Sequence, residues 1–360
     1  MRNLLVAFLL TTSVFAASIW PICAVPSYSA QVQSKTDDGP YVLWDGNKAH
    51  VHWIKNGEHV VKTFNAPFDL PLEGFASPGL RLNGRAYAEV KSELPEPPRI
   101  FVLSDVHGVF DVMRNLLVVN KVIDSRNRWT FAKGHLVVLG DVADRGEHVT
   151  EIYWFIRALE ESARAAGGRV HMILGNHEAM LLTGDYRYVN PMYMGNVDGM
   201  PSLAQLYGTQ SEFGRWLRSR PLMMKLGSTL FLHGGVSPEF LAKGLDINTA
   251  NRNLRLAARE DRDELNAFLQ GTAGPLWYRG MVLDNQNNSI SEADIDRMLA
   301  HFKVKRVVVG HTTLEKVSSL HNGKVLAVDA GIQHRRGEAL YIQRGKIFRA
   351  LSDGSRVEIK

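Results

Sequence analysis

The stretch Ile100-Phe101-Val102-Leu103-Ser104-Asp105-Val106-His107-Gly108 decides how this chain is read. Four apolar residues run straight into a turn that carries a carboxylate and an imidazole two positions apart. A run of that kind suits a strand buried on both faces, so the polar pair at its exit must either meet water or converge on something that neutralises it. The same order of parts recurs downstream. Leu136 to Leu139 leads to Asp141 and Asp144-Arg145, Val170 to Leu174 to Asn176-His177-Glu178, Leu230 to Leu232 to His233, and Val304 to Val309 to His311. Five successive strand exits thus carry metal-ligand types, and Val325 to Val328 adds another apolar run. Helical patterns over Glu147 to Ala166 and Glu292 to His301 lie between some of these runs, which predicts an α/β fold.

A pair of cations would neutralise such exits. Residues two apart at an extended strand end project to one side, so Asp105 and His107 can hold one ion together. Asp141 is placed to bridge, because each of its oxygens can take one ion. Asn176, His233 and His311 would complete the second ion with neutral donors. Oxygen and imidazole donors suit Mn, Zn or Fe, and the lack of thiolates excludes a structural zinc knuckle. Each block alone would be a weak signal; five in order at strand exits are far harder to produce by chance.

Together, Ser104 to Gly108, Gly140 to Gly146, Gly175 to Glu178, His233-Gly234-Gly235 and Gly310-His311 resemble the ordered signature of the calcineurin-like metallophosphoesterases, in their phosphoprotein phosphatase branch. Within that branch the chain is similar to the bacterial Shewanella-like phosphatases, including at Leu276-Trp277-Tyr278-Arg279 and around Tyr41. The resemblance covers the chain from about Gly39 nearly to its end. Ser104 stands where the family usually has Gly, and Ala143 where many eukaryotic members have Val. It implies a β-sandwich of mixed sheets flanked by helices. It also implies two divalent or mixed-valence ions, the first on Asp105, His107 and Asp141, the second on Asp141, Asn176, His233 and His311. His177 would be the general acid, oriented by Asp144, and Arg145 and Arg279 would grip the phosphate. Chemistry supports each role: paired ions lower the pKa of a shared water toward ~7, guanidinium forks match phosphate oxygens, and a carboxylate fixes the tautomer of its imidazole partner.

The rest of the chain sets the context. With 360 residues, 45% of them apolar and 22% charged, it is globular rather than disordered or collagen-like. A net charge of +5 makes no polybasic stripe, so nucleic acid is not an expected partner. Residues 1–30 have the order of a secretory signal peptide: Arg2, apolar Leu4 to Ala17, then small residues up to Ser29-Ala30. Export to the periplasm or medium is expected, with no stable membrane insertion once the signal is cleaved. An uncleaved signal anchor is the alternative, although Pro21 interrupts the span. Cys23 is the only cysteine, so cleavage would leave no thiol. Residues 31–98 read as a β-rich extension with a hairpin at Asn56-Gly57, closed by a stiff linker over Glu93 to Pro98. The catalytic domain would span residues 99–360.

Several conspicuous residues receive plainer readings. His50, His52 and His59 read as solvent-facing strand residues, and His135, His171 and His301 as structural histidines. Glu147 would cap the following helix, and Glu178 would orient its own turn. Arg252, Arg255, Arg259, Glu260 and Asp261 would make mostly a solvated helical face. For His334-Arg335-Arg336, phosphate contact and solvated loop both stand. The aromatic segment Tyr186 to Pro201 could line a groove, which would favour phosphotyrosine. The expected activity is hydrolysis of phosphomonoesters, phosphoproteins above all, through in-line attack by a hydroxide shared between the ions. A nucleotidase or symmetrical dinucleoside tetraphosphate hydrolase is the alternative enzyme. A metal-stabilised binding protein is the non-enzyme alternative, which Arg145, His177 and Arg279 oppose. Oligomeric state is not legible.

Overall fold

Short apolar runs become strands, and in the computed structural model they assemble into two six-stranded sheets. Residues 37–70, 72, 80–193, 197–257, 263–283 and 289–360 are described. The N-terminal strands are β1 (Asp38–Asp45), β2 (Lys48–Lys55), β3 (Glu58–Asn65), β4 (Phe68–Leu70), β5 (Leu80–Leu82) and β6 (Glu93–Leu94). Next come β7 (Arg99–Leu103), α1 (Phe110–Val119), β8 (His135–Val138), α2 (Val149–Ala165), β9 (Arg169–Met172) and α3 (Asn176–Thr183). The middle of the chain forms α4 (Leu203–Leu206), α5 (Glu212–Arg218), β10 (Met223–Leu226), β11 (Thr229–Leu232), α6 (Pro238–Ala242), α7 (Ile247–Ala257) and α8 (Glu264–Leu269). It ends with α9 (Glu292–Phe302), β12 (Arg306–Val309), β13 (Ser318–Leu320), β14 (Val325–Ala327), β15 (Ala339–Gln343), β16 (Lys346–Ala350) and β17 (Arg356–Ile359).

The sheets run β17-β16-β15-β7-β8-β9 and β13-β14-β12-β11-β10-β6. In the first, β7, β8 and β9 are parallel, and in the second β11, β12 and β14 are. Hairpin strands pair antiparallel at their sides, so both sheets are mixed. Alternation then builds the sandwich. Ile100, Val102, Val137, Leu340 and Ile342 of one sheet share a buried cluster with Met224, Leu226, Phe231, Val308 and Leu326 of the other. Their neighbours Phe101, Leu103, Leu136 and Val138 belong instead to the cluster that includes Leu116 and Leu117 of α1 and Ile152 and Ile156 of α2. Each such side chain contributes about 1.5–3 kcal/mol by leaving water. This is the α/β sandwich of mixed sheets that the sequence predicts.

The N-terminal region is larger than a hairpin, because β1, β2 and β3 form a three-stranded antiparallel sheet. Asn56 (φ 52°) and Gly57 (φ 80°) are both left-handed, the geometry that a two-residue turn between twisted strands requires. His50, His52 and His59 are half-buried rather than solvent-facing, and His52 Nδ1 lies 2.9 Å from His59 Nε2. Tyr41 meets Thr150 of α2 at 2.8 Å, and the Trp44 indole donates to Glu212 of α5 at 2.7 Å, which clamps this sheet onto the helices.

The proline-rich segment is not a free linker. Glu93 and Leu94 pair in parallel with Lys225 and Leu226, making β6 an edge strand of the second sheet. An edge position needs bonds on one side only, so the prolines that follow cost nothing there. Residues 37–360 accordingly fall within one compact unit. Residues 1–30, expected from the sequence to be a signal peptide, lie outside the described residues. Among the described residues no helix is long and apolar enough to cross a membrane.

Candidate metal centre and active site

Parallel strands send their carboxyl ends to one edge of the sandwich, and the site residues follow those ends. Asp105 and His107 come after β7, Asp141, Asp144 and Arg145 after β8, Asn176 and His177 open α3 after β9, and His233 and His311 follow β11 and β12. The turns are tight. Asp105, His107, Asp141, Asp144, Arg145 and His311 all have φ between 43° and 69°, a region that non-glycine residues occupy at a cost of about 1–3 kcal/mol and hold mainly where function demands it. Backbones also touch directly. A Cβ on Gly175 would lie 2.1 Å from Asp141 Oδ1, and one on Gly146 would lie 2.2 Å from the His107 carbonyl oxygen, so only glycine lets these loops close.

Lone pairs converge at the centre. His233 Nδ1 faces the Leu139 carbonyl at 2.6 Å; a carbonyl only accepts, so this nitrogen carries the proton. Its Nε2 then turns toward Asn176 Oδ1 (2.9 Å), His311 Nδ1 (3.1 Å) and Asp141 Oδ2 (3.2 Å). His107 likewise donates Nδ1–H to the Ala143 carbonyl (2.7 Å) and leaves Nε2 3.5 Å from Asp141 Oδ2. His107 Nε2, His311 Nε2 and Asn176 Nδ2 are buried with no hydrogen-bond partner. Ligand atoms of His107, Asp141 and His177 lie within 4.8 Å of one another, as do those of Asp141, His233 and His311. Asp141 therefore joins two groups, the placement a bridging ligand needs.

Charge tells the same story. Burial holds His107 down to about 3 and His311 down to about 2, so both imidazoles are neutral and available as ligands. Burial would lower His233 too, yet Asp141 and Asp105 outweigh it and raise that imidazole to about 10. Burial, then Asp329, pushes Asp105 well up, whereas Asp141 is held well below the carboxylate range against burial by His233 and its other imidazole neighbours. The interior asks for positive charge. Orphaned imidazole nitrogens around a shared carboxylate fit a pair of cations with nitrogen and oxygen donors.

Asp105 stands apart from both groups. Its Oδ2 accepts from the Ser104 hydroxyl (2.5 Å) and from the His311 backbone N–H (2.9 Å), so the serine found where glycine is usual acts directly on a ligand candidate. Glu178 does more than orient its own turn. Its carboxylate is fully buried and accepts from the backbone N–H groups of Asp141, Val142, Ala143 and Gly175 and from the Tyr153 hydroxyl, tying the α3 start to the Asp141 turn.

Around this centre stand the residues that the sequence reading assigns to the reaction. His177 Nδ1 lies 2.6 Å from Asp144 Oδ2, both buried, and its Nε2 is 3.8 Å from Asp141 and 3.4 Å from Arg145 Nη2. Arg279 Nη1 donates to the His311 carbonyl at 2.5 Å. Aromatic rings flank the pair of histidines. Tyr188, 43% exposed, lies against His177 at 5.2 Å between ring centroids, and Trp277 meets His311 edge-on at 5.5 Å. Tyr188 belongs to the segment read as a groove lining, while Tyr207, Phe213 and Trp216 beyond it are core.

Some expectations are corrected. Glu147 does not cap α2; the Tyr193 hydroxyl takes that place, accepting from Val149 N–H (3.0 Å) and donating to the Glu147 carbonyl (2.7 Å). His334, Arg335 and Arg336 are exposed, with Arg335 bound to Asp111, and it is Gln333 that reaches Arg145. Arg255 is not on a solvated face, since its side chain is 11% exposed, and Arg259, Glu260 and Asp261 lie outside the described residues. His135 and His171 form a buried pair at 3.0 Å, and His301 meets the Leu245 carbonyl, as structural histidines would.

Comparison with known proteins gives a consistent picture. Residues 98–314 match the family model described as calcineurin-like phosphoesterase. An uncharacterised protein of Schizosaccharomyces pombe is 30% identical over 260 residues, covering 68% of this chain and 76% of that one. Shewanella-like protein phosphatase 2 of Arabidopsis thaliana is 25% identical over 297 residues, covering 68% and 73%. The solved cold-active protein-tyrosine phosphatase of a psychrophilic Shewanella species superposes with a TM-score of 0.82 at 34% identity, covering 91% of this chain and all of that one.

Proposed function

From the premise that this chain belongs to the calcineurin-like phosphoesterase family, we propose that it is a metal-dependent protein phosphatase that prefers phosphotyrosine. The observation that carries this reading is Asp141, shared by two ligand groups, with the Asp144–His177 pair at its edge. When bound, two such cations supply Lewis-acid charge and acidify a water. His107 and Asp141, with Asp105 beside them, would hold one; Asp141, Asn176, His233 and His311 would hold the other. Nitrogen and oxygen donors without sulfur support Mn, Zn or Fe.

The chain's own groups do the rest. Asp144 fixes the Nδ1–H tautomer of His177, so Nε2 faces the reaction centre and can pass a proton to the departing oxygen. Arg145 and Arg279 approach from either side and offer fork-shaped donors to phosphate oxygens. Tyr188 and Trp277 wall the approach with aromatic faces, which pack an aryl ester better than the short stem of phosphoserine. The name of the solved Shewanella neighbour supports the same preference.

A panel of phosphotyrosine, phosphoserine and phosphothreonine peptides, run beside nucleotides and a dinucleoside tetraphosphate under one metal condition, tests the reading. Fastest hydrolysis of the phosphotyrosine peptides is expected. Faster turnover of the nucleotides would replace it with the nucleotidase reading. We propose export as well, supported by residues 1–30 alone; retention of the full-length chain in the cytoplasm would refute it.

A further inference from the structure

The two carboxylate oxygens of Asp105 are not equivalent. Oδ2 accepts the Ser104 hydroxyl at 2.5 Å and the His311 backbone N–H at 2.9 Å, so both lone pairs of that oxygen are engaged within the protein. No hydrogen bond from a described residue reaches Oδ1. We propose that Ser104 is a positioning residue of the metal centre, whose hydroxyl fixes Asp105 as a one-oxygen ligand offering Oδ1 alone to the cation that His107 and Asp141 would share with it. The inference rests on the metal-dependent phosphatase reading and adds a residue that reading does not use.

The hydroxyl has nowhere else to turn. Ser104 is 1% exposed, and among the described residues its side chain finds its acceptor in Asp105. A buried hydroxyl proton left unmet is costly, which makes this bond a fixed feature of the turn. Packing closes the alternatives from the other side. A Cβ on Gly310 would lie 1.9 Å from Ser104 Oγ and 2.8 Å from Asp105 Oδ2, so the backbone leaving β12 sits directly against the hydroxyl–carboxylate pair. The next residue, His311, supplies the second donor to Oδ2. That single oxygen therefore links the exits of β7 and β12 and braces Asp105 in its left-handed conformation at φ 51°.

Holding one oxygen back has a chemical consequence. A carboxylate that closes on an ion with both oxygens fills two coordination positions, whereas one restricted to a single oxygen leaves a position for water or a phosphate oxygen, as a catalytic ion requires. Donors behind a ligand also set its direction. Their removal typically weakens metal binding about 10–100-fold.

Equilibrium dialysis of the full chain against graded Mn²⁺, with metal analysis of the protein, tests the proposal. The parent should take up two equivalents. Ser104→Ala should keep one of them at parent affinity and bind the other about 10–100-fold more weakly, and Ser104→Gly should behave alike. His107→Ala removes a ligand of the same ion, so adding Ser104→Ala to it should not weaken the remaining ion further, as a general loosening of the site would. Parent-like binding of both ions in the two serine variants would overturn the proposal, and so would equal weakening of both ions. A parent chain that takes up no metal would refute the metal-dependent reading itself and the role of Ser104 with it.

Discussion

The side-chain carbonyl of Gln333 accepts a hydrogen bond from Arg145, 188 residues away in sequence. Gln333 Nε2 donates onward to the Thr313 hydroxyl (3.2 Å), which donates to buried Asp329 (2.5 Å), a carboxylate that acts electrostatically on Asp105. A chain of side chains thus aims, from the interior of the site, the guanidinium proposed to grip phosphate. Gln333→Leu removes the acceptor and should raise KM for a phosphomonoester about tenfold, with a smaller effect on kcat, since a hydrogen bond to a charged group is worth ~1.5–3 kcal/mol. Gln333→Glu keeps an acceptor and should restore most of it. Unchanged steady-state constants in the leucine variant would show that Arg145 needs no such support.

Glu178 should matter for stability more than its distance from substrate suggests. Replacing it with Gln sets a donor NH2 against backbone N–H groups that all donate, orphaning at least one at about 1–3 kcal/mol each. The loss, read as a lower urea midpoint, should exceed that of Glu151→Gln on α2, and metal content should fall with it because the Asp141 turn loosens. An unaltered midpoint would refute the tie.

Which of these relations the sequence displays follows from physics. Ligand types at strand exits are legible because burial of β7, β8, β9, β11 and β12 leaves their polar ends few alternatives. Gln333 and Thr313 are not, since their roles depend on loops brought together only by the closed sandwich. Glu93 to Pro98 reads as linker from its prolines, yet two residues suffice for an edge strand. Glu147 stands where an acidic cap is favourable, but the Tyr193 hydroxyl, more than forty residues on, outcompetes it. The burial of Arg255 is equally invisible, for a helix pattern says nothing about what α5 and residues 84–89 will lay over it.

Metal uptake should release protons. His233 is raised to about 10 chiefly because Asp141 overcomes burial, so at neutral pH the metal-free imidazole holds a proton that must leave before Nε2 can act as a ligand. Apparent affinity should therefore fall as pH drops, and calorimetry in buffers of different ionisation enthalpy should reveal the proton. His107→Ala should lose about one equivalent of metal, and Asp141→Asn nearly both. Retention of two equivalents in Asp141→Asn would disprove the bridging role.

The buried pair His135–His171 predicts acid sensitivity away from the reaction centre. Burial lowers His135 from 6.5 to about 4 and lowers His171 well below 6.5. Between about 6.5 and 4 the unfolded chain binds protons that the folded chain refuses, so stability rises with pH and is lost as pH falls through that window. His171→Gln removes one such group. Its urea midpoint should drop less than the parent's between pH 7 and pH 5, and equal drops would discard the pair as a contributor.

The Asp144–His177 pair gives the most direct test of the chemistry. If His177 Nε2 protonates the departing oxygen, its removal should hurt in proportion to how badly that oxygen needs a proton. Nitrophenolate leaves readily without one, the tyrosine phenolate has a pKa near 10, and a serine alkoxide is more basic still. His177→Ala should therefore lower kcat by about 10²–10⁴ on phosphoserine peptides, less on phosphotyrosine peptides and least on p-nitrophenyl phosphate, with metal content retained. Asp144→Asn should follow the same order more mildly, because an amide can still bond Nδ1 but no longer fixes which nitrogen bears the proton. Equal losses across the three leaving groups would assign His177 to phosphate binding instead.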